Sequence, residues 1–168
     1  MKKKQGSSSV ITVLTIVLSV AALFVISLVF TIFSMGLTIC TVQGSSMEPT
    51  IMDGTTLLLN PQKEMEHFDI AVFQEDDSYI IKRVVGLPGD TITVLDGNLF
   101  INGQPYEEPY VTEEYSQEFA KESFKKVVPE GSYFVLGDNR DHSVDSRETD
   151  VVPEEDLVGV AILTIKEG

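Results

Sequence analysis

Two patterns of apolar and polar positions divide this chain. From Val10 to Phe33 it reads VITVLTIVLSVAALFVISLVFTIF, 24 residues without a charge, apolar all round a helix rather than along one stripe. At 1.5 Å per residue such a helix extends about 36 Å, enough to cross a hydrocarbon core of roughly 30 Å. The apolar region of a cleavable signal peptide is only about 7 to 15 residues long, so the pattern predicts a retained, single-pass transmembrane helix. Beyond it the helical period disappears. Short apolar runs bounded by turn residues predict strands at Thr55–Leu59, Asp69–Phe73, Tyr79–Val85, Thr91–Leu95, Asn98–Ile101, Ser132–Leu136 and Val158–Ile165.

Turn chemistry supports these boundaries. Asp53-Gly54, Pro88-Gly89, Asp96-Gly97, Asn102-Gly103 and Gly131 fall between the runs. TVLDGNLFINGQPY reads as a meander in which Asp96-Gly97 closes one hairpin and Asn102-Gly103 turns the chain again. Glu107–Glu130 is polar, carries both signs of charge and has a weak helical stretch near Glu118–Lys126, so it is expected to be a surface loop or flap. A chain of 168 residues has room for one modest domain. The expected organisation is a short N-terminus over residues 1–9, an anchor with its outer flank over 10–40, and a mainly β domain over 41–168.

Charge gives this arrangement a direction. Lys2, Lys3 and Lys4 precede the span, and basic flanks stay cytoplasmic, which places the β domain on the extracytoplasmic side of the cell membrane. The other nine Lys and Arg share the rest of the chain with all 26 Asp and Glu, an acidity that argues against nucleic acid as a partner. Cys40 is the only cysteine, so no intramolecular disulfide or thiolate cluster is available. Neither His67 nor His142 has metal-ligand spacing. No metal and no cofactor are expected.

Three segments carry candidate chemistry. The first is GSSMEPT, Gly44–Thr50. Ser46 lies six residues past Cys40, and an extended chain gains about 3.3 Å per residue, so its hydroxyl sits within roughly 20 Å of the bilayer edge. Membrane-embedded substrates are within its reach. The second is YIIKRVVGLPGD, Tyr79–Asp90, where strand alternation puts Ile80, Lys82 and Val84 on one face and Ile81, Arg83 and Val85 on the other. One of two adjacent cations therefore points among apolar neighbours. Such a lysine is an edge residue reaching back to water, half of an ion pair, or a desolvated amine. Burial disfavours the ammonium form, and a neutral amine can accept a serine proton, the Ser-Lys variant of nucleophile and base. The third is GDNRDHSVDSR, Gly137–Arg147, either a turn with side-chain caps or a buttress for the other two. As a buttress, Ser143 would orient the Lys82 amine and Asp145 would pair with Arg147 or Arg83. His142 leaves open a Ser-His-Asp triad of Ser46, His142 and Asp145.

In this order, behind an anchor, Ser46-Met47-Glu48-Pro49-Thr50, Lys82-Arg83-Val84-Val85-Gly86-Leu87-Pro88-Gly89-Asp90 and the Gly137–Arg147 loop resemble the type I signal peptidases, membrane serine proteases that remove signal peptides from exported proteins. The resemblance implies that Ser46 is the nucleophile, Lys82 the general base and Ser143 the hydroxyl that positions the amine. Asp145, Arg147 and Arg83 would support the site, and Met47 beside the nucleophile either lines a substrate pocket or packs. Relatives of the endoplasmic-reticulum kind carry His where this chain has Lys82, so it is similar to the bacterial kind. Gly44 stands where some Gram-negative relatives have a serine that helps bind the oxyanion; here the Ser46 backbone N–H, with the Gly44 backbone nearby, would serve. Compact length and this glycine are similar to the Gram-positive form. The implied fold is a coiled β-sheet domain behind one transmembrane helix, and the implied partners are signal-peptide-bearing preproteins and the bilayer. Two rivals remain: self-cleaving repressor proteases, which carry a DNA-binding region where this chain has its apolar span, and assembly factors that bind pilin-type substrates without cutting and are expected to lack the Ser or the Lys.

Overall fold

A computed structural model describes residues 5–34, 36–76 and 78–165. Lys2–Lys4, on which the expected orientation rests, lie outside the described residues. The chain divides into two compact units, residues 1–36 and 37–168. In the first, α1 spans Gln5–Ser34, and its Val10–Thr31 stretch is long and apolar enough to cross a membrane. Three hydroxyl side chains of α1 are satisfied by carbonyls of the preceding turn. Thr15 donates to the Thr12 carbonyl, Thr31 to that of Ser27 and Ser34 to that of Phe30.

The second unit is built from strands β1 (Thr38–Thr41), β2 (Thr56–Asn60), β3 (Ile70–Glu75), β4 (Ser78–Gly86), β5 (Thr91–Leu95), β6 (Asn98–Ile101), β7 (Gln104–Tyr106), β8 (Phe124–Val127), β9 (Ser132–Leu136), β10 (Val152–Pro153) and β11 (Leu157–Ile165). They form a seven-stranded sheet in the order β1-β2-β11-β3-β4-β9-β10 and a four-stranded sheet in the order β7-β6-β5-β8. Each run predicted to be a strand is one. The meander is also as expected: Asp96 and Gly97 have φ of 47° and 73°, and Asn102 and Gly103 have 53° and 79°. Two consecutive positive φ values are what a two-residue hairpin loop needs to match the twist of its strands.

Four short strands escape the pattern, and one expectation is corrected. Glu118–Lys126 is not a helix: a single 3-10 turn at Phe119–Lys121 leads into β8, which pairs with β5 from Thr91↔Val127 to Val94↔Phe124. Phe119 is buried, so this connection is not a loose flap. β1 pairs with β2 from Thr38↔Leu59 to Thr41↔Thr56, so the β unit begins within the stretch read as the anchor's outer flank.

The strand that matters most for function is β4. Its N-terminal residues are exposed and its last five buried. On one side it pairs with β3 from Ser78 to Arg83, but on the other β9 meets only Arg83, Val84 and Gly86. The edge of Ser78–Ile81 on the β9 side is thus left without a ladder partner among the described residues. Beyond that point β4 and β9 become a wall between two cores. Val85, Phe134 and Leu136 pack with the small sheet, whereas Val84, Tyr133 and Val135 pack with Ala71 and Phe73 of β3.

Candidate active site

Ser46 sits in a tight series of turns after β1. The Glu48 N–H donates to the Ser45 carbonyl at 3.1 Å and the Ile51 N–H to that of Met47 at 2.8 Å. Gly44 enters the turn with φ of 96°, a conformation favouring glycine, and its N–H donates to Asp53 Oδ1 at 2.8 Å. That bond commits the Gly44 N–H to Asp53. Met47 is fully buried and packs with Val42, Ile51 and Leu57, so it anchors the turn. It also lines a groove of about 520 Å³, whose walls are Cys40–Gln43 on one side and Ser78–Lys82 on the other. Both expectations for Met47, packing and lining, are compatible with this position.

Lys82 brings its amine to the head of the groove, with Nζ 3.1 Å from Ser46 Oγ. Only 5% of the residue is exposed. Its pKa lies below the ordinary lysine value, chiefly because burial disfavours the ammonium, with Arg147 pushing the same way and the charges of Asp145 and Glu75 opposing. None of its carboxylate neighbours forms an ion pair with it within 4 Å among the described residues. The arrangement can therefore hold a neutral amine against a hydroxyl, which is what general-base activation of a serine requires.

The Gly137–Arg147 loop wraps this pair. Asn139 donates its backbone N–H to the Ser46 carbonyl at 3.0 Å and its side-chain amide to the Ser45 carbonyl at 3.2 Å. Asp145, fully buried, accepts from the Gly137 N–H at 3.0 Å and from Arg147 Nε at 2.8 Å. Of the two partners considered for Asp145, the structure selects Arg147. Arg83 turns instead to Asp138, with Nε–Oδ1 and Nη2–Oδ2 distances of 2.8 and 2.6 Å, and donates from Nη1 to the Phe68 carbonyl. Ser143 is buried, and among the described residues its Oγ has no hydrogen-bond partner, so the bond expected to orient the Lys82 amine is not made here. Gly137 makes this packing possible. A methyl group there would collide with Ser143 Oγ and Cβ and lie 2.5 Å from the Ser46 carbonyl oxygen.

The triad alternative fails on geometry. His142 is exposed, and its Nδ1 contacts Asn139 Oδ1 at 3.2 Å rather than Asp145, whose oxygens are taken by Arg147 and Gly137. Among the described residues, no group of three or more His, Cys, Asp or Glu is placed to hold a metal ion. Asp138, Asn139 and Arg140 lie within the loop singled out from sequence, yet no role was read for them individually. Their signal was there in the density of hydrogen-bonding side chains. Glu108, which pairs with Arg140, had none, since it stands in a polar stretch with many other carboxylates.

Comparisons with known proteins agree on one family. The family profile described as signal peptidase, peptidase S26 matches residues 12–165. Signal peptidase I U of Bacillus subtilis (strain 168) is 38% identical over 96% of this chain and 89% of its own length. Signal peptidase IB of Staphylococcus aureus is 32% identical over 85% of this chain and 84% of its own. A crystal structure of a signal peptidase I from Enterococcus faecalis V583 aligns with a TM-score of 0.53 at 35% identity, covering 58% of this chain and 97% of that one. The pairing of an apolar N-terminal helix and a mainly β unit, with two sequence segments lining one groove and a third packed behind Ser46, has its explanation in that kinship: this chain belongs to the signal peptidase family, peptidase S26.

Proposed function

We propose that this signal peptidase cuts signal peptides from exported preproteins with a Ser46–Lys82 dyad, through an acyl-enzyme, on the outer face of the membrane that α1 crosses. The observation that carries the reading is the 3.1 Å approach to Ser46 Oγ, at the head of a groove, of a buried Lys82 amine that has no ion-pair partner among the described residues. The unpaired edge of Ser78–Ile81 offers backbone groups to an extended peptide, which would add to the sheet as a further strand. Side chains on alternate positions of that peptide then meet the groove floor. Met47, Val42 and Ile81 leave room there for small apolar groups.

In this account Lys82 takes the Ser46 proton as Oγ attacks the scissile carbonyl carbon. The Ser46 N–H stabilises the oxyanion, and the protonated amine returns the proton to the leaving amine. Lys82, neutral again, then deprotonates the water that hydrolyses the ester and frees Ser46. Arg147 and Asp145 hold the loop that packs behind this pair, and Arg83 anchors β4 through Asp138. The basic residues before α1 favour an N-terminus on the cytoplasmic side.

The test is cleavage of a labelled preprotein in detergent micelles by the wild-type chain, Ser46→Ala and Lys82→Ala, with and without EDTA. Loss of cutting in both variants, with the wild type indifferent to EDTA, is the expected result. A wild type that binds the preprotein without cutting it would instead favour an assembly factor.

A further inference from the structure

The connection from β7 to β8, residues 107–123, plays no part in the chemistry above, yet it is fastened along its length to the loop that carries Ser143 and Asp145. Glu108 is the main clasp. Its Oε1 accepts from Arg140 Nη2 at 2.6 Å and from the Tyr110 hydroxyl at 2.7 Å, and its Oε2 accepts from Arg140 Nη1 at 3.0 Å. The Arg140 side chain is completely buried and that of Glu108 is 8% exposed, so this is a charge pair withdrawn from water. Losing one member of such a pair leaves the other charge stranded. Arg140 Nε then donates to the Gly137 carbonyl at 2.9 Å, which carries the clasp into the loop.

The other contacts act in the same sense. The Tyr110 ring lies 3.8 Å from the Arg83 guanidinium, and Phe119 is buried 4.7 Å from that of Arg140 and 5.4 Å from that of Arg147. Asp141 reaches back from the loop, accepting the Glu118 and Phe119 N–H groups, and Glu122 pairs with Arg147 at 3.0 Å. The far end is held by the small sheet. Gly97 at the β5–β6 turn donates its N–H to the Glu122 carbonyl, and a side chain there would stand 2.6 Å from the Ala120 Cα.

Next to Arg140 in the loop is Asn139, whose two bonds hold the Ser45 and Ser46 carbonyls. Lys82, by contrast, is fixed on β4. The chain of contacts from Glu108 through Arg140 and Asn139 therefore sets where the nucleophile stands relative to an amine held by a different element. We propose that residues 107–123 are a strap by which the small sheet fixes the Ser46–Lys82 distance, with Glu108 as a positioning residue of the reaction; the inference rests on the Ser46–Lys82 reading. The small sheet thus acquires a role in catalysis without contributing a group to the groove.

The experiment uses the full chain in detergent micelles, with competent sites counted from the end-point stoichiometry of Ser46 modification by a covalent acylating inhibitor and kcat expressed per competent site. A misplacement of about 1 Å costs on the order of 10²-fold in rate. Glu108→Ala is expected to lower kcat per competent site by about that factor and Glu108→Gln, which keeps one acceptor, by about tenfold. KM should stay within about twofold, because no strap residue lines the groove. If Glu108→Ala does not fold, Glu108→Gln alone decides. Wild-type kcat per competent site in the folded variants, with the loss confined to melting temperature or to the number of competent sites, would overturn the strap. Wild type that does not cut, or Ser46→Ala that cuts equally well, would instead bring down the dyad reading, and the strap with it.

Discussion

Lys82 and Arg83 are neighbours on β4, equally charged in an unfolded chain and nearly equally buried in the folded one, at 5% and 7% exposure. The environments on the two sides of the strand treat them differently. Arg83 meets the Asp138 carboxylate through two bonds and the Phe68 carbonyl through a third; burial works against its charge, but these partners outweigh it and its pKa is raised. Among the described residues Lys82 contacts a hydroxyl and no carboxylate, so burial outweighs the more distant charges of Asp145 and Glu75 and its pKa falls. Burial alone therefore does not decide what a cation does. A buried cation held by counter-charges in direct contact keeps its proton, and one without such contacts loses it more readily.

The contrast is broken most severely by giving the groove a cation that cannot lose its proton. Lys82→Arg retains charge and approximate length, but a guanidinium stays protonated, so preprotein cleavage should fall by about 10⁴-fold or more. Cleavage within tenfold of wild type would mean that Lys82 is not the base. On the other side of the strand, Asp138→Asn leaves the Arg83 guanidinium without its counter-charge in a buried place. Denaturant unfolding should register a loss of about 3–5 kcal/mol. A loss below 1 kcal/mol would show that the pair is not what holds β4 against the loop.

Two further changes sharpen the comparison. Gly137→Ala forces Ser143 and the Ser46 carbonyl away from position 137, and kcat should drop by about 10²-fold with KM little changed. Lys82→Met removes the desolvated amine. In the wild type the unfolded chain still binds the Lys82 proton over the interval from the lowered folded pKa up to the ordinary value near 10.5, where the folded chain has released it. Stability therefore rises with pH across that interval, and in Lys82→Met this rise should be absent, with the difference between the two proteins greatest at the acidic end. The smallest effect belongs to Glu75, whose charge raises the Lys82 pKa from a distance. Glu75→Gln should move the acidic limb of the kcat/KM profile to lower pH, since the amine must be neutral to act. A shift to higher pH would contradict the assignment.

What could be seen in the sequence follows the same division. Ser46, Lys82 and the Gly137–Arg147 loop stand out because each lies in a run whose composition is odd for its place: a serine at a turn just past an anchor, a cation amid Ile and Val, and a crowd of hydrogen-bonding groups after an apolar strand. The seven strands with apolar runs were legible from period and turn residues. β8 was not, because Phe124-Lys125-Lys126-Val127 becomes a strand only through its pairing with β5, and two lysines conceal the alternation. The choice of Arg147 over Arg83 as partner of Asp145 was equally hidden, since three arginines and several carboxylates of one small region can be matched in many ways. Three-dimensional placement selects Arg83 with Asp138, Arg147 with Asp145 and Arg140 with Glu108. Glu108 lies outside every motif and is found only through its partner.

The central claim is that the Lys82 amine, unlike its neighbour, sheds its proton easily. The most direct measurement is a side-chain NMR titration of the full chain in micelles with labelled lysine, the Lys82 signal being assigned by its absence in Lys82→Met. The account predicts that Lys82 titrates below the ordinary lysine value near 10.5. Titration of Lys82 at or above that value would contradict it.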